Sequence, residues 1–125
     1  MPTPRILVVE DNALILELIV ETLDEAGYDV DYAETADAAA ALLEADGYQL
    51  LVTDVHMPGK LNGLDLAERA QNHEPPLPVV VVTARPDVVG RFNQSGIHGT
   101  ALVKPFLLAD LVQVVSRFVP TPPPA

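Results

Sequence analysis

Four valines in succession, Val79 to Val82, lie inside the run Leu77-Pro78-Val79-Val80-Val81-Val82-Thr83. β-branched side chains are stiff in a helix and fit a pleated surface. A strand that is apolar at consecutive positions presents apolar groups to both sides, so both sides need cover. The run is therefore expected as a central strand. Pro75, Pro76 and Pro78 break whatever precedes it. Arg5 to Val9 and Leu50 to Thr53 are apolar runs of the same kind. A sheet made of such strands draws its cover from helices.

The intervening stretches supply those helices. Ala13 to Ala26 reads as helical, with Asn12 as its cap, Gly27 as its stop, and Leu14, Ile15, Leu18, Ile19 and Ala26 as the inward stripe. Tyr28 to Ala33 alternates apolar and polar residues and reads as a half-covered edge strand. Thr35 can cap an Ala-rich helix over Ala36 to Ala45, closed by Gly47. Gly63 to Gln71 is a helix with Leu64, Leu66, Ala67 and Ala70 inward. Asp87 to Gln94 is a short, weak helix with Gly90 inside it. Thr100 to Val103 is a fifth strand, and Leu107 to Val119 a last helix carrying Leu108, Leu111, Val112, Val115 and Phe118 on one side. Five strands, each followed by a helix, predict an α/β chain with a doubly wound parallel sheet. Residues 1–4 are expected as an N-terminal extension, 5–119 as one domain, and 120–125 as a Pro-rich, polyproline-like tail.

Composition narrows the function. A length of 125 residues and an apolar fraction of 49% suit one packed domain. The net charge of −11, with seven basic residues spread along the chain, argues against direct binding to DNA or another phosphate backbone. There is no cysteine, which removes disulfides and thiolate chemistry and fits a reducing compartment. Met1 to Arg5 lacks the layout of a signal peptide, and the apolar runs are too short to span a bilayer. A cytoplasmic location without a membrane partner is the expectation. No GxGxxG and no GxxxxGK[ST] occurs, so dinucleotide and P-loop chemistry lose their motifs.

What stands at the carboxyl ends of the apolar strands is more specific. Strand one delivers Glu10 and Asp11, strand three Asp54, strand four Thr83 and strand five Lys104. In a parallel sheet all five project into one crevice, where ligands of open α/β sheets bind. Asp54 alone, shortly before Pro58-Gly59, could be a mere turn former. Three adjacent carboxylates repel, and a divalent ion resolves that. Hard oxygen ligands with open positions suit Mg²⁺. A hydroxyl and an ammonium opposite them suit a phosphoryl group. The chemistry uniting these parts is phosphoryl transfer to a carboxylate, giving an aspartyl phosphate.

On these residues the chain resembles the receiver domain of two-component response regulators, over residues 5 to 119. The resemblance rests on Glu10-Asp11, Asp54-x-x-Met57-Pro58-Gly59, Gly63, Thr83-Ala84 and Lys104-Pro105-Phe106, in that order and at those separations. It implies a flavodoxin-like (βα)5 fold with strand order 2-1-3-4-5 and a cis bond before Pro105. It implies that Asp54 accepts phosphoryl from a sensor histidine kinase or a histidine phosphotransfer protein. Glu10, Asp11, Asp54 and the backbone carbonyl of His56 would hold Mg²⁺, with Mn²⁺ as a substitute. Thr83 would bond the phosphoryl oxygen and Lys104 would pair with it. His56 and Arg85, two past the aspartate and two past the threonine, would tune hydrolysis. With no output segment after the last helix, a single-domain regulator would signal by phosphorylation-dependent protein contact or by phosphate relay, rather than act as an enzyme. Leu16 and Val20 stand off the main stripe of the first helix, as a docking patch for the kinase or as half-buried residues.

Two departures from the family pattern stand out. The loop Gly59-Lys60-Leu61-Asn62-Gly63 is one residue longer than the commonest form. Three residues before Lys104, where such domains often carry Tyr or Phe as a rotamer switch, stands Ala101. Signal transfer must then use backbone movement of Thr83 to Gln94 or another route. Two other readings stay open here. A Mg²⁺-dependent phosphatase with an aspartyl nucleophile would want an acid at the position of His56. A pseudo-receiver would bind partners without ever taking phosphate.

Overall fold

The computed structural model describes residues 3–45, 47–57 and 59–120. Pro58 of the expected turn, and the tail from residue 121 onward, lie outside the described residues. The elements are β1 (Arg5–Val9), α1 (Ala13–Glu25), β2 (Asp29–Ala33), α2 (Ala36–Leu43), β3 (Leu50–Asp54), α3 (Gly63–Gln71), β4 (Val79–Thr83), α4 (Pro86–Gln94), β5 (Gly99–Val103) and α5 (Leu108–Phe118). The strands form one sheet in the order β2-β1-β3-β4-β5, all neighbours parallel. This is the flavodoxin-like arrangement.

The valine run explains the layering. All five residues of β4 are buried. Val79 and Val81 point into one core with Leu7, Val9 and Leu51, covered by α2, α3 and α4 through residues such as Leu43, Leu66 and Phe92. Val80 and Val82 point into the other, with Ile6, Val8 and Val52, covered by Leu16, Ile19 and Leu23 of α1 and Leu111 and Val115 of α5. The two-residue period of the strand thus feeds two cores from one uninterrupted apolar run.

Helix α1 corrects the expected stripe. Leu16, Ile19 and Leu23 are its buried residues, while Leu14 is 67% and Leu18 45% exposed. Leu16 is therefore core, and Val20 is half-buried. Its caps are as expected: Asn12 Oδ1 accepts the N–H groups of Leu14 and Ile15, and Gly27 follows at φ 103°. On the edge strand β2, Tyr32 is exposed rather than inward, whereas Tyr28, just before the strand, is buried and donates to the Val119 carbonyl at 2.6 Å. The Lys104–Pro105 bond is cis, as the resemblance implied, and so is Glu74–Pro75.

The amino end of the sheet is held by a polar knot. Arg5 Nη2 donates to Asp31 Oδ2 at 2.7 Å, and Tyr48 Oη donates to the same oxygen at 2.6 Å. The Arg5 guanidinium lies 4.9 Å above the Tyr48 ring. The Tyr48 hydrogen bond and Arg5 hold the Asp31 carboxyl below its usual range. Burial and the Asp31 bond push Tyr48 up to about 12. No helix among the described residues is long and apolar enough to cross a membrane.

Candidate functional site

The carboxyl edge of the sheet gathers the charges. Glu10 directly follows β1 and is only 2% exposed. One of its oxygens, Oε2, accepts the Asn12 N–H at 3.2 Å, and the other, Oε1, accepts Lys104 Nζ at 2.7 Å. Asp54 is the last residue of β3, with 12% of its side chain exposed. Its Oδ1 accepts the Val55 N–H at 2.8 Å, and its Oδ2 lies 3.3 Å from Lys104 Nζ. Glu10, Asp11 and Asp54 each offer an oxygen, all within 4.8 Å of one another. Three carboxylates facing one ammonium leave a surplus of negative charge. Three hard oxygens with open positions fit a divalent cation of the Mg²⁺ class.

Protonation follows that crowding. Lost solvation, then a hydrogen bond with Glu10 and its charge, raise the Asp11 carboxyl above its ordinary value. Burial alone would lower the Lys104 ammonium, but the Glu10 bond and the charges of Asp54 and Glu10 outweigh it and raise it.

The structure brings four of the five strand-end residues into mutual reach. Thr83, the fifth, is fully buried and one residue past Val82, the sheet partner of Asp54. It is tied to Lys104 through the backbone, Lys104 N–H to Thr83 carbonyl at 2.7 Å. Its Oγ1 accepts the Arg85 N–H at 3.0 Å. The Arg85 side chain turns away to Asp87, at 3.3 and 3.1 Å. His56 is exposed on the loop after β3. Ala101 is half-buried and pairs with Val81.

Three features were missed by sequence reasoning. Gly63 does more than open α3. A Cβ there would sit 2.0 Å from the Asp54 carbonyl oxygen, and its N–H donates to the Val55 carbonyl at 2.9 Å. The helix thus starts against the backbone of the candidate nucleophile. Thr53, buried, donates its hydroxyl to the Asp54 carbonyl at 2.7 Å. Asp87 escaped notice because its partner Arg85 is only two residues away, outside helical neighbour spacing. The lengthened loop rests on α2, with Lys60 N–H 3.4 Å from Asp37 Oδ2, and Asn62 closes it with a capping box to Asp65.

Beside Lys104 opens an apolar groove of about 600 Å³, lined by Ile15, Leu18, Ile19, Pro105, Phe106 and Leu108 among others. It lies between α1 and the β5–α5 connection. Leu18, expected in the core, lines it instead.

The family model described as the response regulator receiver domain matches residues 6–116. The response regulator receiver protein CpdR of Brucella abortus is 31% identical over 116 residues, 92% of this chain and 96% of CpdR. The transcriptional regulatory protein TcrA of Mycobacterium tuberculosis is 35% identical over 126 residues, 96% of this chain but 49% of TcrA, so the chain spans about half of that regulator. Among solved structures, response regulator TrrA of Thermotoga maritima, in complex with Mg²⁺-BeF, superposes with a TM-score of 0.83 at 29% identity, covering 94% of this chain and 100% of that one. Chemotaxis protein CheY4 of Vibrio cholerae gives 0.81 at 26% identity, with 94% and 100% covered.

Proposed function

Since the chain belongs to the response regulator receiver domain family of two-component systems, a signalling module rather than a catalytic enzyme, we propose that Asp54 is its phosphoacceptor and that the aspartyl phosphate is its signal. The observation that carries this reading is the contact network of Glu10, Asp11, Asp54 and Lys104 at the carboxyl edge of a parallel sheet. An Asp54 carboxylate oxygen attacks the phosphorus of a phosphohistidine on a sensor kinase or phosphotransfer protein. The O–P bond forms, the P–N bond breaks, and the imidazole nitrogen keeps the electron pair. Glu10, Asp11 and Asp54, with the backbone carbonyl of His56, would hold Mg²⁺, or Mn²⁺ in its place. When bound, the ion offsets charge on the transferring group. Lys104, already in reach of Asp54, pairs with a phosphoryl oxygen. The Thr83 hydroxyl donates to another while a lone pair still accepts the Arg85 N–H, since a hydroxyl does both. His56 and Arg85 flank the phosphoryl group and set its lifetime.

The partner side follows from the groove. Its walls are apolar, while the exposed side of α1 carries Glu17, Glu21, Asp24 and Glu25 and no basic residue between Ala13 and Glu25. The phosphodonor accordingly presents an apolar helical face flanked by Lys or Arg. Output is by protein contact or phosphate relay.

Incubation with Mg²⁺ and acetyl phosphate tests the reading. It requires a stoichiometric adduct, acid-stable and base-labile, that Asp54→Asn abolishes. Continuous turnover of the donor would instead indicate a phosphatase, and no adduct an interaction module. Amide exchange over residues 84–94 should also change when the site is filled. Equal protection with and without a phosphoryl mimic would refute that reordering.

A further inference from the structure

Beside the site, the Arg85 side chain is held by Asp87, and neither Asp87 nor Arg91 is used by any step above. Arg85 Nε and Nη2 donate to the two oxygens of Asp87, and Arg91 Nη2 donates to Asp87 Oδ2 at 2.8 Å. The Arg85 backbone, by contrast, is fixed on the site by its N–H bond to Thr83 Oγ1. The guanidinium therefore starts from a point one hydrogen bond from the site and is directed away from it. Its planar fork fits a carboxylate and a phosphoryl group equally well. A phosphoryl on Asp54 brings further negative charge to a site where, among the described residues, Lys104 is the one ammonium in contact with the carboxylates.

We propose that Asp87 is a positioning residue that withholds Arg85 from the phosphoryl group, so that the two anions compete for one guanidinium. The inference rests on the reading of Asp54 as phosphoacceptor. Arg85 and Asp87 are both about half exposed, so exchanging the partner of Arg85 costs little. Arg91, four residues after Asp87 on the same helix, keeps the Asp87 charge paired when Arg85 leaves. The clamp at the start of α4 thus opens without leaving a bare carboxylate there.

The test uses the whole chain, saturating Mg²⁺ and beryllofluoride as the phosphoryl mimic, with affinity read by calorimetry. Asp87→Asn is expected to tighten beryllofluoride binding about two- to five-fold, the range of an exposed ion pair. In an Arg85→Ala background the same substitution should produce no gain. An equal gain in both backgrounds overturns the proposal, because removal of one negative charge would then suffice. An unchanged affinity in Asp87→Asn overturns it as well. A misfolded variant would bind more weakly, opposite in sign to the expectation, and melting curves of the four proteins check for one. If the parent binds no beryllofluoride and forms no adduct, the reading of Asp54 falls and takes this one with it. If the parent binds and Asp87→Asn is silent, only the role of Asp87 falls.

Discussion

Gly63→Ala asks whether the start of α3 holds the candidate nucleophile in place. Alanine in a helix is ordinarily better than glycine by up to about 1 kcal/mol. Here the added Cβ meets the Asp54 carbonyl oxygen at 2.0 Å, and the Asp54 carbonyl carbon and Val55 Cα at 2.8 Å each. All three are backbone atoms, so no side chain can swing aside. Restoring ordinary contact needs a shift of roughly 1–1.5 Å between α3 and the end of β3. Overpacking of that kind costs about 1–3 kcal/mol. Stretching the Gly63–Val55 hydrogen bond adds about 0.5–1.5 kcal/mol. Net of propensity, the substitution should destabilise by about 0.5–3.5 kcal/mol, measured by urea unfolding. Displacement of a reacting group by about 1 Å costs on the order of 10²-fold in rate. Adduct formation from acetyl phosphate, measured on fully folded protein, should fall by about that factor. A variant as stable as the parent, or more so, with an unchanged rate would refute the reasoning. A loss of stability without a loss of rate would mean that α3 moves and Asp54 does not.

Tyr48→Phe removes one hydrogen bond to a carboxylate and should cost about 1.5–3 kcal/mol at neutral pH, with adduct formation unchanged; a slower adduct would contradict it. Folding favours neutral Tyr48, so its contribution is complete below pH 10 and is lost as pH rises toward about 12. Urea midpoints against pH should show that alkaline loss, roughly 2 kcal/mol, in the parent and not in Tyr48→Phe. Asp31 acts at the other limb: its carboxyl is depressed, so its contribution stands above the usual carboxylate range and is lost as pH falls through the folded value. Lys104→Met leaves Glu10 and Asp54 without their ammonium and should cost about 2–3 kcal/mol without divalent ions, below the usual cost of breaking a buried pair because Lys104 is 22% exposed. Millimolar Mg²⁺ should then stabilise the variant more than the parent, and equal responses in a Mg²⁺ titration of the urea midpoint would refute the charge surplus. Leu18→Glu should slow phosphoryl transfer from a histidine kinase while leaving uptake from acetyl phosphate unchanged, and equal slowing of both would remove the groove as the docking surface.

The fold was legible because its strands declare themselves. Consecutive valines demand cover on both faces, and parallel strands all end at one edge, so Glu10, Asp11, Asp54, Thr83 and Lys104 could be grouped before any coordinate was known. The register of α1 was less legible. Apolar residues at Leu14, Ile15, Leu16, Leu18, Ile19 and Val20 support more than one stripe. The carboxylates would have decided it: at about 100° per residue, Leu14 and Leu18 fall on the side of Glu17 and Glu21, with Ile19 and Leu23 opposite. Two matters lay beyond pattern reading. The closeness of Gly63 to Asp54 depends on how the lengthened loop returns. The direction of the Arg85 side chain depends on α4 beginning at Pro86, which places Asp87 in its first turn.

Those two points bear on how a signal could leave a site that lacks an aromatic switch. Ala101 has no rotamer to change, and its half-buried methyl packs against the core shared by α2, α3 and α4. On the proposed reading the group that links the site to α4 is instead Thr83, buried, with its hydroxyl oxygen on the N–H of Arg85. Arg85 is the N-cap of α4, and among the described residues no side chain caps the start of that helix. The first turn of α4 is anchored through Val88 on one side and tied at its start to Thr83 and Asp87. On the proposed reading, a shift of Thr83 toward a phosphoryl oxygen would pull on a helix start that has few competing polar ties. The same shift would bring forward the backbone from which Arg85 extends, and with it the choice between Asp87 and the phosphoryl group. Reporting and retention of the phosphoryl would then share one hinge, Thr83 to Asp87, and a substitution there should alter both together.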